Sequence, residues 1–200
     1  DVEQASGGRF PSDPHEVFAQ WEQFRAWADD LDPATVEVAP PAARSALEAP
    51  VTRPTQVFAI GLNYREHAAE SGHAVPEHPP TFTKFTSSLT GPEGVIELPD
   101  GNVDWEVELV AVISRTARDV SVEDAWSYVA GLTVGQDLSE RVAQLSGPVP
   151  QFSLAKSHPG FGPLGPVLVT PDELADPDDL ELGCAINGET VQKSRTSDLI

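Results

Sequence analysis

The sequence DWEVELVAVI, at positions 104–113, predicts a strand that carries two acidic side chains next to a hydrophobic core. Glu106 and Glu108 are two residues apart, and residues with this spacing point to the same face of a strand. The uninterrupted apolar run Leu109–Ile113 is typical of a central strand that is buried on both faces. Two neighbouring carboxylates in such a place repel each other and lose hydration, so they require a compensating charge.

A third carboxylate, Asp137, follows the next predicted strand, Leu132–Val134. A divalent cation would remove the repulsion between Glu106 and Glu108, and Asp137 would supply a third oxygen. Carboxylate ligands without paired Cys or His favour Mg²⁺ or Mn²⁺, with Ca²⁺ as an alternative, over structural zinc. The sequence therefore predicts a metal site. The opposing interpretation is that both Glu side chains point into solvent from an edge strand.

Composition narrows the classes of function. The formal net charge is -20, which argues against a nucleic-acid partner because such partners require clustered Lys and Arg. No apolar run approaches the roughly 18 to 20 residues that span a bilayer, and no basic and apolar leader opens the chain. The single cysteine, Cys184, excludes an internal disulfide and fits a reducing compartment. We therefore expect a cytoplasmic protein without a membrane partner.

The composition and hydrophobic pattern along the sequence predict two parts. These are an N-terminal helical segment with a Pro-rich linker over residues 1–54 and a mainly β domain over residues 55–200. We expect the first ten residues to be loose, and one helix to run from the cap at Ser12–Pro14 to Leu31. The hairpin around Asn187-Gly188 is the strongest turn signal in the chain. The other predicted elements are a buried strand at Val57–Ile60, a short helix at Glu66–Ser71, edge strands at Phe82–Phe85 and Val95–Leu98, and a helix at Ser121–Val129.

Five further side chains are candidates for chemistry. His67 and Glu70 are three residues apart on a predicted helix, so the carboxylate can orient the imidazole as a general base; a plain surface hydrogen bond is the alternative. Lys156 follows an apolar run and can stabilise an oxyanion, or it is an ordinary surface lysine. Arg141 and Gln144 share a helical face after Asp137 and can bind a carboxylate, or Arg141 merely pairs with a surface acid.

Short motifs along the chain resemble the fumarylacetoacetate hydrolase family over about Val57 to Ile200, and they occur in the family's order. The motifs are IGLNY at 60–64 followed by His67 and Glu70, GPEG at 91–94, DWEVEL at 104–109, GQDLS at 135–139, LAKS at 154–157, GPLGP at 162–166, INGE at 186–189 and TSDLI at 196–200. Each motif alone is weak, but the ordered series is specific. The resemblance implies an α+β fold, mainly β, in which a mixed β-roll follows a small helical N-terminal segment.

The resemblance also implies a divalent metal, usually Mg²⁺ or Mn²⁺, on Glu106, Glu108 and Asp137, the same residues that the spacing indicates. The family normally continues beyond the segment at 196–200 to a Thr-Gly-Thr-Pro loop that lines the active site. We therefore expect the C-terminal part of the family domain to be absent from this chain. The tripeptide Glu-Arg-Val at 140–142 also departs from the Ala-Arg-Asp of many members.

By the same resemblance, His67 and Glu70 form a water-activating dyad, Lys156 contacts the substrate or intermediate, and Arg141 and Gln144 lie on the substrate-binding helix. The expected activity is hydrolysis of a carbon–carbon bond in a 2-oxo or 1,3-dicarbonyl acid, such as an acylpyruvate or an intermediate of aromatic breakdown, by a homodimer. Oxaloacetate decarboxylation, hydration of a 2-oxo-enoic acid and double-bond isomerisation are alternatives. An inactive metal-binding relative and an acidic interaction module rank lower.

Overall fold

A computed structural model describes residues 1–36, 42–70, 72 and 74–200. The strands are β1 Phe58–Ile60, β2 Thr81–Thr83, β3 Leu89–Thr90, β4 Val103–Asp104, β5 Val107–Ile113, β6 Val129–Gln136, β7 Ser139–Glu140, β8 Gly162–Val169, β9 Glu181–Ile186 and β10 Glu189–Arg195. The α-helices are α1 Val2–Ala5, α2 Pro14–Phe18, α3 Trp21–Asp29, α4 Arg65–Glu70, α5 Arg141–Gln144 and α6 Phe152–Ala155. Single turns of 3-10 helix cover 33–35, 44–46, 86–88, 125–128, 171–173 and 196–198.

The main sheet has four strands in the order β3-β8-β6-β5. Strand β3 runs parallel to β8, and the other two pairings are antiparallel. Gly135 allows a close approach in this sheet, because a Cβ atom there would lie 2.9 Å from both Leu164 and Val110. The prediction of a central strand over Trp105–Ser114 is wrong for the described part of the chain, since β5 forms an edge and β6 lies inside. The apolar run is correspondingly only half-buried, and Ile113 is 54% exposed.

Three two-stranded units complete the fold, formed by β1 with β2, β4 with β7 and β9 with β10. The hairpin prediction is confirmed: Asn187 and Gly188 both have positive φ, as a type I′ turn requires, and join β9 to β10. The prediction of a buried strand near Val57 is wrong in its burial. Phe58 is 62% exposed, because β1 pairs only with β2 among the described residues.

Two further predictions of secondary structure are wrong. Residues 95–98 form no strand, and the segment predicted as the helix Ser121–Val129 is a turn followed by a short 3-10 helix. The short helix begins at Arg65 and runs to Glu70, while Ser71 lies outside the described residues. Part of the predicted linker, 37–41, also lies outside them.

The N-terminal segment is more ordered than its polar sequence suggests. Asp1 caps α1, and Phe10 is buried against the rings of Phe24 and Trp27, with centroids 5.6 and 5.4 Å away. The expectation of a loose start is therefore wrong. The predicted single helix is also divided: Asp13 caps α2 as expected, but the helix stops at Phe18 and α3 begins at Trp21.

One buried hydroxyl in the main sheet leads to a stability prediction. Thr133 in β6 is buried, and its Oγ1 has no hydrogen-bond partner among the described residues. Thr133→Val keeps the shape of the side chain and removes the unpaired polar atom, so we expect the free energy of unfolding in urea to rise by about 1 kcal/mol. Thr133→Ser retains the hydroxyl and serves as the control; a loss of stability in the Val variant would contradict the assignment.

Candidate metal centre

Three carboxylates meet where β5 begins and β6 ends. The two strands are in a register that places Glu108 opposite Gly135, and the Asp137 N–H donates to the Glu106 carbonyl over 2.8 Å. Glu106 and Glu108 are on one face because they are two residues apart. One carboxylate oxygen from each of Glu106, Glu108 and Asp137 lies within 4.8 Å of the others. The structure therefore brings together the three residues that the sequence predicted as metal ligands, and their role as ligands stays a prediction.

Lys156 lies against two of these carboxylates. It follows α6, and its side chain is only 2% exposed. Its Nζ donates to Glu106 Oε2 over 2.7 Å, to Asp137 Oδ2 over 2.8 Å and to Ser139 Oγ over 2.7 Å. All three ammonium hydrogens thus have acceptors, so the interpretation of Lys156 as a plain surface lysine is wrong.

Lys84 is a second buried ammonium, and the sequence reasoning missed it. It directly follows β2, and its Nζ donates to Asp137 Oδ1 over 2.7 Å and to the main-chain carbonyl of Lys156. A signal was present, because Lys84 stands alone between Phe82 and Phe85 in an otherwise uncharged segment. A lysine in such a setting is either at an edge or buried with a partner.

Arg141 closes the other side of the cluster. Glu140 caps α5 by accepting from the main-chain N–H groups of Val142 and Ala143, which sets Arg141 at the first helical position. Arg141 donates to Asp104 Oδ2 from two nitrogens, over 3.0 and 2.8 Å, and to Glu106 Oε1 over 2.6 Å. It also donates to Gln144 Oε1 over 2.9 Å, so the predicted substrate-binding pair is in contact and borders the cluster.

Glu108 differs from its neighbours because no side-chain hydrogen bond or salt bridge to it is found within the described ranges. Burial, and then the charges of Glu106 and Asp137, raise the pKa of Glu108 to about 8. At neutral pH this carboxyl therefore keeps its proton in the metal-free protein. The cluster contains four acidic side chains and three cationic ones: Asp104, Glu106, Glu108 and Asp137, and Lys84, Lys156 and Arg141. When Glu108 is protonated, the numbers of negative and positive side chains are equal.

The donor set fits a hard divalent cation. Three carboxylate oxygens, two of them held in place by buried cations and one without a partner, match the oxygen ligands that Mg²⁺ and Mn²⁺ prefer. Binding there requires Glu108 to lose its proton, which couples metal affinity to pH. Glu106, Glu108 and Asp137 are therefore the residues that would hold the ion.

The raised pKa of Glu108 predicts a pH dependence of stability in the absence of metal. Between the ordinary pKa of 4.5 and about 8, the folded protein holds a proton that the unfolded chain has lost. Each rise in pH within this window therefore lowers the free energy of unfolding, by at most about 1.4 kcal/mol per pH unit for one proton. The measurement is urea unfolding of the wild type and of Glu108→Gln between pH 5 and 9 in chelator. Their difference should change with pH up to about 8 and then level off; a constant difference would contradict the prediction.

His67 and Glu70 both lie on α4, but the structure does not join them. Both side chains are exposed, and no hydrogen bond or salt bridge between them occurs in the described part of the chain. The start of α4 is nevertheless close to the cluster. Burial, and then the charges of Glu108 and Asp198, raise the pKa of Tyr64, the residue directly before the helix. The predicted dyad stays a prediction.

The protein thus combines a mainly β fold with three carboxylates that meet at the ends of two paired strands. Residues 56–200 match the family model described as fumarylacetoacetate (FAA) hydrolase, C-terminal. This chain belongs to the fumarylacetoacetate hydrolase family. The resemblance seen in the motifs and the expected fold class are thereby confirmed, whereas the division at residues 54 and 55 stays a prediction. Members of the family bind divalent metals.

The curated relatives include enzymes of 2-oxo acids. The chain is 45% identical over 154 residues to oxaloacetate tautomerase Fahd2a, mitochondrial, of Rattus norvegicus, and 44% identical to oxaloacetate tautomerase FAHD2A, mitochondrial, of Homo sapiens. Each match covers 76% of this chain and 49% of the relative. The chain thus spans about half the length of these relatives. Because they are named as mitochondrial, the cytoplasmic location stays a prediction.

Solved structures show the same fold. A Mycobacterium smegmatis protein provisionally called HpcE is 57% identical, with a TM-score of 0.90 over 100% of this chain and 70% of its own. The 5-carboxymethyl-2-hydroxymuconate delta-isomerase of Mycobacterium smegmatis is 41% identical, with a TM-score of 0.67 over 76% of this chain and 59% of its own. Family members are therefore enzymes that include a tautomerase and an isomerase. Within the described ranges, no helix has both the length and the apolar character needed to cross a membrane.

Proposed function

We propose that this protein is a divalent-metal-dependent enzyme that moves a proton within a 2-oxo dicarboxylic acid, as a tautomerase or a double-bond isomerase does. The observation that carries the proposal is the convergence of Glu106, Glu108 and Asp137 next to the buried ammonium of Lys156. The names of the relatives, oxaloacetate tautomerase and delta-isomerase, favour proton transfer over the carbon–carbon hydrolysis that the family resemblance led us to expect.

The charges of the site suit an anionic substrate. When bound, Mg²⁺ or Mn²⁺ would supply Lewis-acid stabilisation of developing enolate charge. Lys156 and Arg141 would supply fixed positive charge beside the carboxylates, in a protein whose net charge is -20. Arg141, which donates to Asp104, Glu106 and Gln144, would exchange one of these acceptors for a substrate carboxylate, a group that arginine can bind in a bidentate manner. These residues would bind and orient the acid ends of the substrate.

The experiment is a spectroscopic assay of the enol-to-keto conversion of oxaloacetate, in the protein first stripped with chelator and then loaded with Mg²⁺ or Mn²⁺. We expect metal-dependent acceleration above the buffer rate, and loss of that acceleration in Arg141→Met. The control is Arg118→Met, which removes an exposed guanidinium paired only with its exposed neighbour Asp119. Metal-independent acceleration, or none with any 2-oxo acid offered, would overturn the proposal.

Hydrolysis of a carbon–carbon bond in an acylpyruvate is the second candidate, and the position of α4 favours it. His67 lies on α4, about one helical turn beyond Tyr64, and burial, followed by the charges of Glu108 and Asp198, raises the pKa of that tyrosine. His67→Ala should abolish hydrolysis and leave tautomerisation if Glu70 and His67 activate water. His78→Ala, which removes an exposed imidazole in a loop, is the matched control.

We also propose that the protein acts as a homodimer on a small-molecule substrate and without nucleic-acid or membrane partners. Support comes from the family assignment and from the strongly acidic composition. Sedimentation equilibrium would test the assembly, and a monomer at micromolar concentration would contradict it.

A further inference from the structure

Two of the chain's three lysines, Lys84 and Lys156, are buried on opposite oxygens of a single carboxylate. Lys156 also contacts Glu106 and Ser139, which places it within the proposed site. Within the described part of the chain, the Nζ of Lys84 donates hydrogen bonds to Asp137 and to the main-chain carbonyl of Lys156 and to no other group. The proposed function gives it no task, although burying an ammonium costs several kcal/mol unless the group is paired.

We propose that Lys84 is a positioning residue that keeps Oδ1 of Asp137 occupied, so that Asp137 offers a cation only Oδ2, the oxygen that it shares with Lys156. This inference rests on the proposed metal site. The ligand set of the ion would then be held at three protein oxygens, which leaves coordination positions open for the two oxygens of a 2-oxo acid. Lys84 would act on substrate binding through Asp137, without touching the substrate.

The contacts of Lys84 explain why it cannot easily release Asp137. Its side chain is 5% exposed, and the two acceptors that it reaches are both buried. The main-chain carbonyl that it contacts belongs to Lys156, at the end of α6. Moving away from Asp137 would leave a buried charge without its counter-charge, which is more costly than the pair itself. The ammonium is therefore a fixed part of the site, unlike the ends of exposed lysines.

The remaining carboxylates support this interpretation. Glu106 has Oε1 on Arg141 and Oε2 on Lys156, so both of its oxygens are also engaged with cations. Of the three predicted ligands, only Glu108 has both carboxylate oxygens free of contacts with cationic side chains in the described part of the protein. The surrounding cations thus restrict two of the three ligands, and Lys84 is the one cation among them whose loss frees an oxygen of Asp137 without altering Glu106.

Loss of Lys84 has consequences of opposite sign for metal and for substrate. Lys84→Met removes a positive charge next to the site and frees Oδ1, and both changes favour a bound cation. The second oxygen of Asp137 would then compete with the substrate for coordination. A purely structural role predicts something different, because a disturbed site would bind metal and substrate less tightly together.

The experiment measures two affinities by titration calorimetry and by Mn²⁺ electron paramagnetic resonance: that of the protein for Mn²⁺, and that of the Mn²⁺-loaded protein for oxalate. For Lys84→Met we expect the dissociation constant for Mn²⁺ to fall about tenfold and that for oxalate to rise about tenfold. Lys193→Met is the matched control, because it removes the same charge from an exposed lysine paired with Glu181. Circular dichroism establishes that each variant is folded, and Lys84→Gln is measured in parallel in case the Met variant is not.

The outcomes separate the two proposals. Weaker binding of both Mn²⁺ and oxalate in the folded Lys84 variants, or affinities equal to those of Lys193→Met, would overturn the role of Lys84 and leave the metal site intact. Failure of the wild-type protein to bind Mn²⁺ at millimolar concentration would overturn the proposed function, and this inference with it. Opposite shifts of the two dissociation constants would support both.

Discussion

Glu108→Gln is expected to lower metal-dependent turnover by more than about 100-fold while leaving the metal-free protein at least as stable as the wild type. Even residues that only support a metal ligand typically cost about 10 to 100-fold in affinity or activity, and Glu108 is proposed as a ligand itself. The variant keeps the size of the side chain. It removes a carboxyl for which the described residues provide no hydrogen-bond partner, and whose pKa is raised by burial and then by the charges of Glu106 and Asp137. Stability and activity should therefore change in opposite directions.

The measurements are the oxaloacetate assay at saturating Mg²⁺, Mn²⁺ titration, and urea unfolding at pH 8.5 in chelator. The control is Glu123→Gln, which removes an exposed acid outside the cluster and should leave turnover, Mn²⁺ affinity and stability unchanged. In the wild type, Mn²⁺ should raise the free energy of unfolding, and in Glu108→Gln this increase should be largely lost. Full turnover in the variant would show that Glu108 is not a ligand.

Lys156→Met is expected to cost about 3 to 5 kcal/mol in the free energy of unfolding, besides abolishing turnover. The ammonium is 2% exposed and is shared by Glu106 and Asp137, so its removal leaves buried carboxylates without a counter-charge. Met has a similar length and adds no new polar group. The large effect therefore arises from the charges that remain and not from a cavity.

A double variant tests that explanation. Lys156→Met combined with Asp137→Asn removes one carboxylate together with its ammonium, and the pair should be less destabilised than the sum of the two single variants. Lys193→Met, on the surface, should lie within about 0.5 kcal/mol of the wild type. A loss below about 1 kcal/mol for Lys156→Met in metal-free buffer would show that the salt bridges with Glu106 and Asp137 contribute little.

The acidic trio was predictable from local spacing. Glu106 and Glu108 must share a face if the segment is a strand, and Asp137 directly follows the next predicted strand. The hairpin at Asn187-Gly188 was predictable for a similar reason, since its positive φ angles are a local requirement. These predictions depend only on residues within a few positions of one another.

The cations of the site were not predictable in this way. Lys84 contacts Asp137 from a strand end 53 residues away, Lys156 contacts it from a helix end 19 residues away, and Arg141 contacts Glu106 across 35 residues. Lys84 went unnoticed because a lone lysine in a short strand is usually at the surface. Lys84 is buried because β2 packs against α6, where the rings of Phe82 and Phe152 meet edge to face with their centroids 5.6 Å apart.

Burial likewise depended on which strands become neighbours. The apolar run after Glu108 indicated a strand but could not reveal that β6, and not β5, lies inside the described sheet. The spacing of residues along the chain thus predicted the hairpin and the shared face of Glu106 and Glu108, because these follow from backbone geometry over short distances, while the fold class was implied by the resemblance of the ordered motifs to a family. The packing of distant segments decided the exposure of each strand and the charges that face each acid, because electrostatic interactions and burial act through space.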